Sequence, residues 1–278
     1  MTPPEPSASK PGVQLVVPPD PDPTIGPTSA PPIEPVPQVP TPLVPWPTPT
    51  PSASPSVEPS VEPSTDPSQS ATPPSQSVDC RKVKCIALTF DDGPVAGTTE
   101  LLDLLKKEEV PATFFVVGQM AQAHPEILAR MANEGHVIGN HSYNHADFTK
   151  MKASAIRKQI TDTNEIIFNA TGQKATLMRP PFGASNAGVR SIEKDLGMAQ
   201  ILWNVDPDDW KDRNAKVVAD RVLSAVRPGA IILSHDLYAT TRAAYKTIIP
   251  KLKAQGYVFV TVPQLLNSPS AGVSYSHL

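Results

Sequence analysis

Cys85-Ile86-Ala87-Leu88-Thr89-Phe90-Asp91-Asp92-Gly93-Pro94 is the stretch on which the fold turns. The apolar run Cys85 to Leu88, stopped by Gly-Pro, has the length and punctuation of a buried parallel strand. Two adjacent carboxylates therefore stand at a strand's carboxyl end. Neighbouring side chains of a strand point to opposite faces, so Asp91 and Asp92 share a site only if the backbone leaves strand geometry there. Gly93-Pro94 supplies the break. Two carboxylates held together do not both stay charged cheaply without a cation, which makes the pair a candidate metal or acid-base site; a plain turn is the other reading of these four residues.

Outward from this stretch, the composition divides near residue 79. Of 35 prolines, 25 lie in residues 1–79, with many Ser and Thr and with repeats such as Val57-Glu58-Pro59-Ser60 and Val61-Glu62-Pro63-Ser64. Such a segment buries too little apolar surface to offset its ordering entropy and reads as a disordered, partly polyproline II stalk. Residues 80–278 are ordinary globular sequence, and about 200 residues suffice for one sizeable core. Lys10 is the only base of the stalk against eight acids, which leaves the globular part with 23 bases and 19 acids. That mild excess, with no basic cluster interleaved with aromatics, argues against nucleic acid as a partner. Neither a span of about 20 apolar residues nor the basic and apolar regions of a leader is visible. The spacing of Cys80 and Cys85 permits a disulfide closing a small loop, with two free thiols as the other reading; the disulfide, taken with the spacer, suggests an extracellular or wall-associated protein, expected to be a monomer.

The chain then alternates helix and strand. Thr98 to Lys107 is helical, Ala112 to Val117 a strand, Pro125 to Glu134 a helix, and Val137 to Gly139 a short strand. Helices are expected at 153–170, 186–196, 216–226 and 240–255, and strands at 176–178, 200–205, 230–233 and 257–261. About seven strands alternating with helices predict an α/β domain with a parallel sheet, open or closed into a barrel. Five polar clusters, around Asp91, His141, Arg179, Asp209 and His235, all follow strand ends, and in a parallel barrel those ends share one rim.

His141 and His145, four residues apart, are able to bind one ion through two imidazoles, and a carboxylate beside them leaves positions open for water and substrate. His235 suits proton donation near neutral pH. Arg179, ahead of two prolines, is a rigid donor fork for a carboxylate. Asp209 is able to pair with an imidazole, and Trp210 offers a flat face for a sugar. Taken alone, the histidine pair also reads as two solvated side chains, His235 as a satisfied surface histidine, and Arg179, Asp209 and Trp210 as ordinary salt-bridge or core residues.

Taken together, Thr89-Phe90-Asp91-Asp92-Gly93-Pro94, His141-Ser142-Tyr143-Asn144-His145, Arg179-Pro180-Pro181-Phe182, Asp206-Pro207-Asp208-Asp209-Trp210 and Ile231-Ile232-Leu233-Ser234-His235-Asp236 resemble, in order, the five motifs of the polysaccharide deacetylases, the NodB-homology domain of carbohydrate esterase family four. The resemblance covers residues 85–263. It implies a distorted (β/α) barrel and a metal-dependent hydrolase acting on acetylated glycans. Asp92, His141 and His145 would bind a divalent ion, zinc most often, with cobalt or nickel able to serve. Asp91 would be the general base and Arg179 its orienting partner. The backbone N–H of Phe182 would help hold the oxyanion, His235 would protonate the leaving amine, and Asp209 would adjust its basicity. Leu233 would line the acetyl-methyl pocket and Trp210 the groove wall. Phe182 stands where tyrosine is frequent in the family. Members divide among peptidoglycan, chitin and acetylxylan; the stalk favours peptidoglycan. The rivals are an acetylxylan esterase on the same residues, a two-carboxylate glycosidase, and a silent wall-binding module.

Overall fold

A computed structural model describes residues 78–278. The stalk expected over residues 1–79 lies, as far as residue 77, outside the described residues. Strand β1 (Cys85–Asp91) is buried along its whole length, as a central strand covered on both faces must be. Its odd and even residues separate two cores. Ile86, Leu88 and Phe90 join a cluster shared with the helices, whereas Cys85 and Ala87 join Phe115, Leu177, Ile201 and Ile231 in a cluster drawn mostly from strands. The second cluster fills the barrel. Alternation carries its facing onward to Thr89 and Asp91 at the strand's carboxyl end.

Around β1 the elements follow in the order foreseen. Helix α1 (Thr98–Lys107) buries Leu101, Leu102 and Leu105, with Glu100 in its first turn and Lys106 and Lys107 in its last, each charge favourable to the helix dipole. After β2 (Thr113–Val116) comes α2 (Gly118–Ala123), which the sequence did not announce: it has six residues, opens on glycine and lacks a capping side chain. Helix α3 (Pro125–Asn133) starts on proline, where a missing N–H costs nothing. Then come β3 (Val137–Asn140) and α4 (Ala153–Thr171), the latter ended by Gly172 in the left-handed region. Strand β4 (Leu177–Met178), α5 (Ala187–Asp195) and β5 (Ala199–Ile201) lead to α6 (Asp209–Asp212) and α7 (Ala215–Ala225). Asn186 and Asn214 cap α5 and α7 by accepting backbone N–H bonds. The chain closes with β6 (Ile231–Ile232), α8 (Ala239–Ala254), β7 (Val258–Phe259), α9 (Val262–Leu266) under a Thr261–Gln264 capping box, and β8 (Ser274–Tyr275).

The sheet runs β6-β1-β2-β3-β4-β5-β8, with β7 also on β1, and every ladder is parallel. Its ends meet through isolated bridges, Val205 with Ile232 and Ala230 with His277. The expected distorted barrel is present, with β8 added to the seven strands foreseen. Cys80 and Cys85 are bonded, with Cα atoms 5.2 Å apart, which ties the entry segment to β1. No described helix is long and apolar enough to cross a membrane.

Candidate active site

The five clusters converge at the carboxyl ends of the strands, around a cleft of about 470 Å³. Asp91 is the last residue of β1 and is 2% exposed. Asp92 adopts φ 72, the departure from strand geometry that lets both carboxylates face the same space. The third cluster sets Asp91. Arg179, fully buried after β4, donates from Nη1 to Asp91 Oδ1 at 2.7 Å and to Thr89 Oγ1 at 2.8 Å. Its Nε and Nη2 donate to the carbonyls of Ile201 and Leu202, each at 3.0 Å, and its plane lies over the Phe115 ring at 4.1 Å. Burial pushes the guanidinium pKa down while Asp91 opposes that shift. With Oδ1 pinned, Asp91 presents Oδ2 toward the cleft, 3.7 Å from His141 Nε2.

The two histidines sit on a compact loop after β3, not on a helical turn. Asn140 holds the loop's start by accepting from the Ser142 N–H at 2.8 Å and donating to Ile160 O at 2.9 Å. Ser142 Oγ accepts from the His145 N–H at 2.9 Å, and Gln159 Oε1 accepts from the Tyr143 and Asn144 N–H groups. His141 Nδ1 lies 2.6 Å from the Arg179 carbonyl, which only accepts, so this nitrogen carries the proton and Nε2 presents a lone pair. That lone pair faces Asp92 Oδ1 at 3.4 Å, and His145 Nε2 lies 3.4 Å from the same oxygen.

Three electron-rich atoms therefore crowd one point, and Asp92 Oδ1, though buried, accepts no hydrogen bond among the described residues. The contacts are too long for good hydrogen bonds, and the tautomer of His141 offers no proton to make one. Asp92, His141 and His145 each offer an atom within 4.8 Å of the others, a donor set of two imidazoles and a carboxylate that fits a divalent cation with open positions. The ionisation of His145 suits that role: burial lowers its pKa and keeps it neutral.

On the opposite wall, Asp209 opens α6 and is fully buried. It accepts from His235 Nδ1 at 2.7 Å, from the His235 backbone N–H at 2.8 Å and from Thr241 Oγ1 at 2.8 Å. Burial works against a charged imidazole, yet the Asp209 carboxylate prevails and raises His235 to about 9. His235 is therefore protonated at neutral pH. The cleft is completed by Leu233, almost buried, and by Trp210 and Phe182, which are 50% and 68% exposed. Phe182 has φ 61 and sets its ring edge-on to His145 at 4.6 Å.

All ten residues singled out in the sequence border this cleft or hold a residue that does. Sequence reasoning missed Thr89 and Thr241, hydroxyls that bond Arg179 and Asp209, and Trp203 and Tyr238 in the cleft wall. Trp203 stood inside a predicted strand, ahead of the polar cluster around Asp209 that drew attention.

The chain is similar to known proteins in sequence and in fold. The profile of the family described as polysaccharide deacetylase matches residues 79–201. Over 194 residues the chain is 48% identical to the peptidoglycan-N-acetylmuramic acid deacetylase PdaC of Bacillus subtilis (strain 168), an overlap covering 69% of this chain and 41% of PdaC. The chain thus spans about two fifths of that relative's length. It is 39% identical to the chitooligosaccharide deacetylase of Rhizobium leguminosarum bv. trifolii, over 64% of this chain and 90% of that protein. Among solved structures, a family 4 acetyl xylan esterase from Clostridium thermocellum, in complex with cobalt, superposes with a TM-score of 0.66 at 36% identity, over 70% of this chain and 99% of the esterase. By profile, by identity along nearly a whole relative and by superposition of the barrel, the chain belongs to the polysaccharide deacetylase family.

Proposed function

We propose that residues 80–278 form a metal-dependent deacetylase domain that hydrolyses N-acetyl groups of N-acetylglucosamine residues in a glycan, peptidoglycan first and chitin oligomers second, releasing acetate. The observation that carries this reading is the pairing, across one cleft, of a proton-poor wall with a proton-rich one. Asp92, His141 and His145 would hold the cation, zinc in the first instance, with cobalt or nickel as substitutes. When bound, it supplies a Lewis acid that polarises the acetyl carbonyl and makes water more acidic.

The chain's own groups do the rest. Asp91, its Oδ1 held by Arg179, offers Oδ2 as the base that takes the proton from the attacking water. The backbone N–H of Phe182, a residue that lines the cleft in the left-handed region, would help hold the developing oxyanion. His235 holds its Nδ1 proton toward Asp209 and gives up the Nε2 proton to the nitrogen that leaves. Leu233 supplies an apolar wall for the acetyl methyl, and Trp210 a face for a sugar ring. The kinship to PdaC and the proline-rich segment support peptidoglycan and a place outside the cell.

The likeness to an acetyl xylan esterase supports a second reading, in which the same groups cleave O-acetyl esters of xylan. Acetate release measured on purified peptidoglycan, chito-oligosaccharides and acetylxylan, with chelator and with added Zn²⁺, separates the two. Release from the first two polymers that stops with chelator is expected; release from acetylxylan alone would establish the esterase. Shortened oligomers with acetyl groups intact would overturn both.

A further inference from the structure

Asp236 follows His235 in sequence and is fully buried, yet no step above uses its carboxylate. One oxygen, Oδ2, accepts the Thr98 hydroxyl, and the other has no donor among the described residues. Both lie against Gly93, where a Cβ would stand 2.5 Å from Oδ1 and 2.6 Å from Oδ2. A methyl there would be driven into the carboxylate. Thr98 Oγ1 in turn accepts the Val95 N–H at 2.9 Å. The Asp236 carbonyl accepts from Arg242 Nη1 at 2.9 Å, and the Arg242 side chain crosses directly over Gly97 and reaches Glu100 at 3.2 Å. The segment that leads out of Asp92 is thus bonded at Thr98 to Asp236 on the loop that carries His235, braced at Gly93 against the same carboxylate, and linked at Glu100 through Arg242 to the Asp236 carbonyl, while Val95 is held to Thr98.

Asp92 needs such fastening. Its φ of 72 is a conformation that a residue with a side chain rarely holds unaided, and its own carboxylate contributes no hydrogen bond from Oδ1 to keep it there. We propose that Asp236, acting through Thr98, is a positioning residue that fixes the Asp92 turn against the His235 loop, so that one connection sets both cation affinity and proton delivery. Its catalytic half rests on the deacetylase reading; its cation half does not.

Thr98→Val deletes the hydroxyl while keeping the shape, and Thr98→Ser restores it. Co²⁺ affinity, read by competition with a chelator, is expected to weaken about tenfold in Thr98→Val, the scale on which groups that orient metal ligands act. On chito-oligosaccharides kcat should fall with KM unchanged, and Thr98→Ser should stay near the parent in both measurements. Gly93→Ala, which forces the carboxylate aside from the other direction, should weaken Co²⁺ binding likewise. Parent-like Co²⁺ affinity in Thr98→Val, or in Gly93→Ala should Thr98→Val not fold, would overturn the proposal; so would Thr98→Ser as impaired as Thr98→Val. The affinity arm needs no substrate. A parent protein that binds Co²⁺ but releases no acetate would therefore sink the deacetylase reading and leave this one to be decided on its own measurement.

Discussion

Two carboxylate–imidazole groups face each other across the cleft, and they are built in opposite senses. Around Asp209 every contact is closed: three donors at 2.7 to 2.8 Å, among them the ring and the backbone of His235. Around Asp92 the contacts are open, with two imidazole nitrogens at 3.4 Å and an oxygen that accepts nothing among the described residues. The same two residue types yield a raised imidazole on one side and a lowered one on the other. For His235 the cause is the Asp209 carboxylate, which prevails over burial; for His145 it is burial itself. Where Nδ1 of His235 finds a carboxylate, the ring keeps a proton; where Nδ1 of His141 finds a carbonyl, Nε2 is left as a lone pair aimed at another acceptor. One wall stores a proton and the other calls for a cation.

The contrast breaks most completely if the open side is dismantled. His141→Ala should lose bound metal, seen by elemental analysis, and lower kcat/KM on the order of 10⁴-fold, since polarisation by a metal contributes several kcal/mol. Asp91→Asn should separate chemistry from binding, retaining the metal while turnover falls about 10³-fold, within the range for loss of a general base. Unchanged acetate release in either variant would remove the assignment. On the closed side, Asp209→Asn should cost about 10²-fold and move the alkaline limb of the pH–rate profile to lower pH. In the parent that limb should lie near 9, because His235 donates only while protonated.

The same raised pKa fixes the sign of a stability effect. The folded value exceeds the ordinary 6.5, so the Asp209–His235 pair stabilises fully below about 6.5. Its contribution is lost as pH rises through about 9. A chemical-denaturation midpoint followed between pH 6 and 10 should show the decline in the parent and much less of it in Asp209→Asn. The smallest effect belongs to Thr241→Val, which removes one of three donors; about 1 kcal/mol of stability is expected, with a modest drop in kcat.

How far this design could be read from sequence depended on distance along the chain. Asp91-Asp92 at a strand end, His141 four residues before His145, and Arg179 ahead of two prolines are local patterns, and each stands where strand alternation placed it. The hydroxyl that shares Arg179 with Asp91 is 90 residues away at Thr89, and the one that completes Asp209 is 32 residues away at Thr241. Threonines are too common for sequence to mark either. Apolar runs identified the strands but overstated their length: 230–233 is buried throughout and 257–261 from Phe259 onward, yet only Ile231–Ile232 and Val258–Phe259 form ladders. Burial is written in the residue itself, while pairing depends on the neighbour. Strand β8 shows the limit, for Ser274–Tyr275 is a strand only because Gln200 and Ile201 lie alongside.

The buried guanidinium carries a last consequence. Arg179 serves four acceptors at once, two on the β1 side and two carbonyls at the end of β5, while stacked on an aromatic ring. A lysine, with one compact ammonium, would have to abandon most of them. Whatever tunes the base would thus also unseat the wall beside it, and the inner machinery is poorly placed to drift by small steps. Diversity in what the pocket accepts would accumulate instead at its lip, where the side chains of Phe182 and Trp210 are exposed.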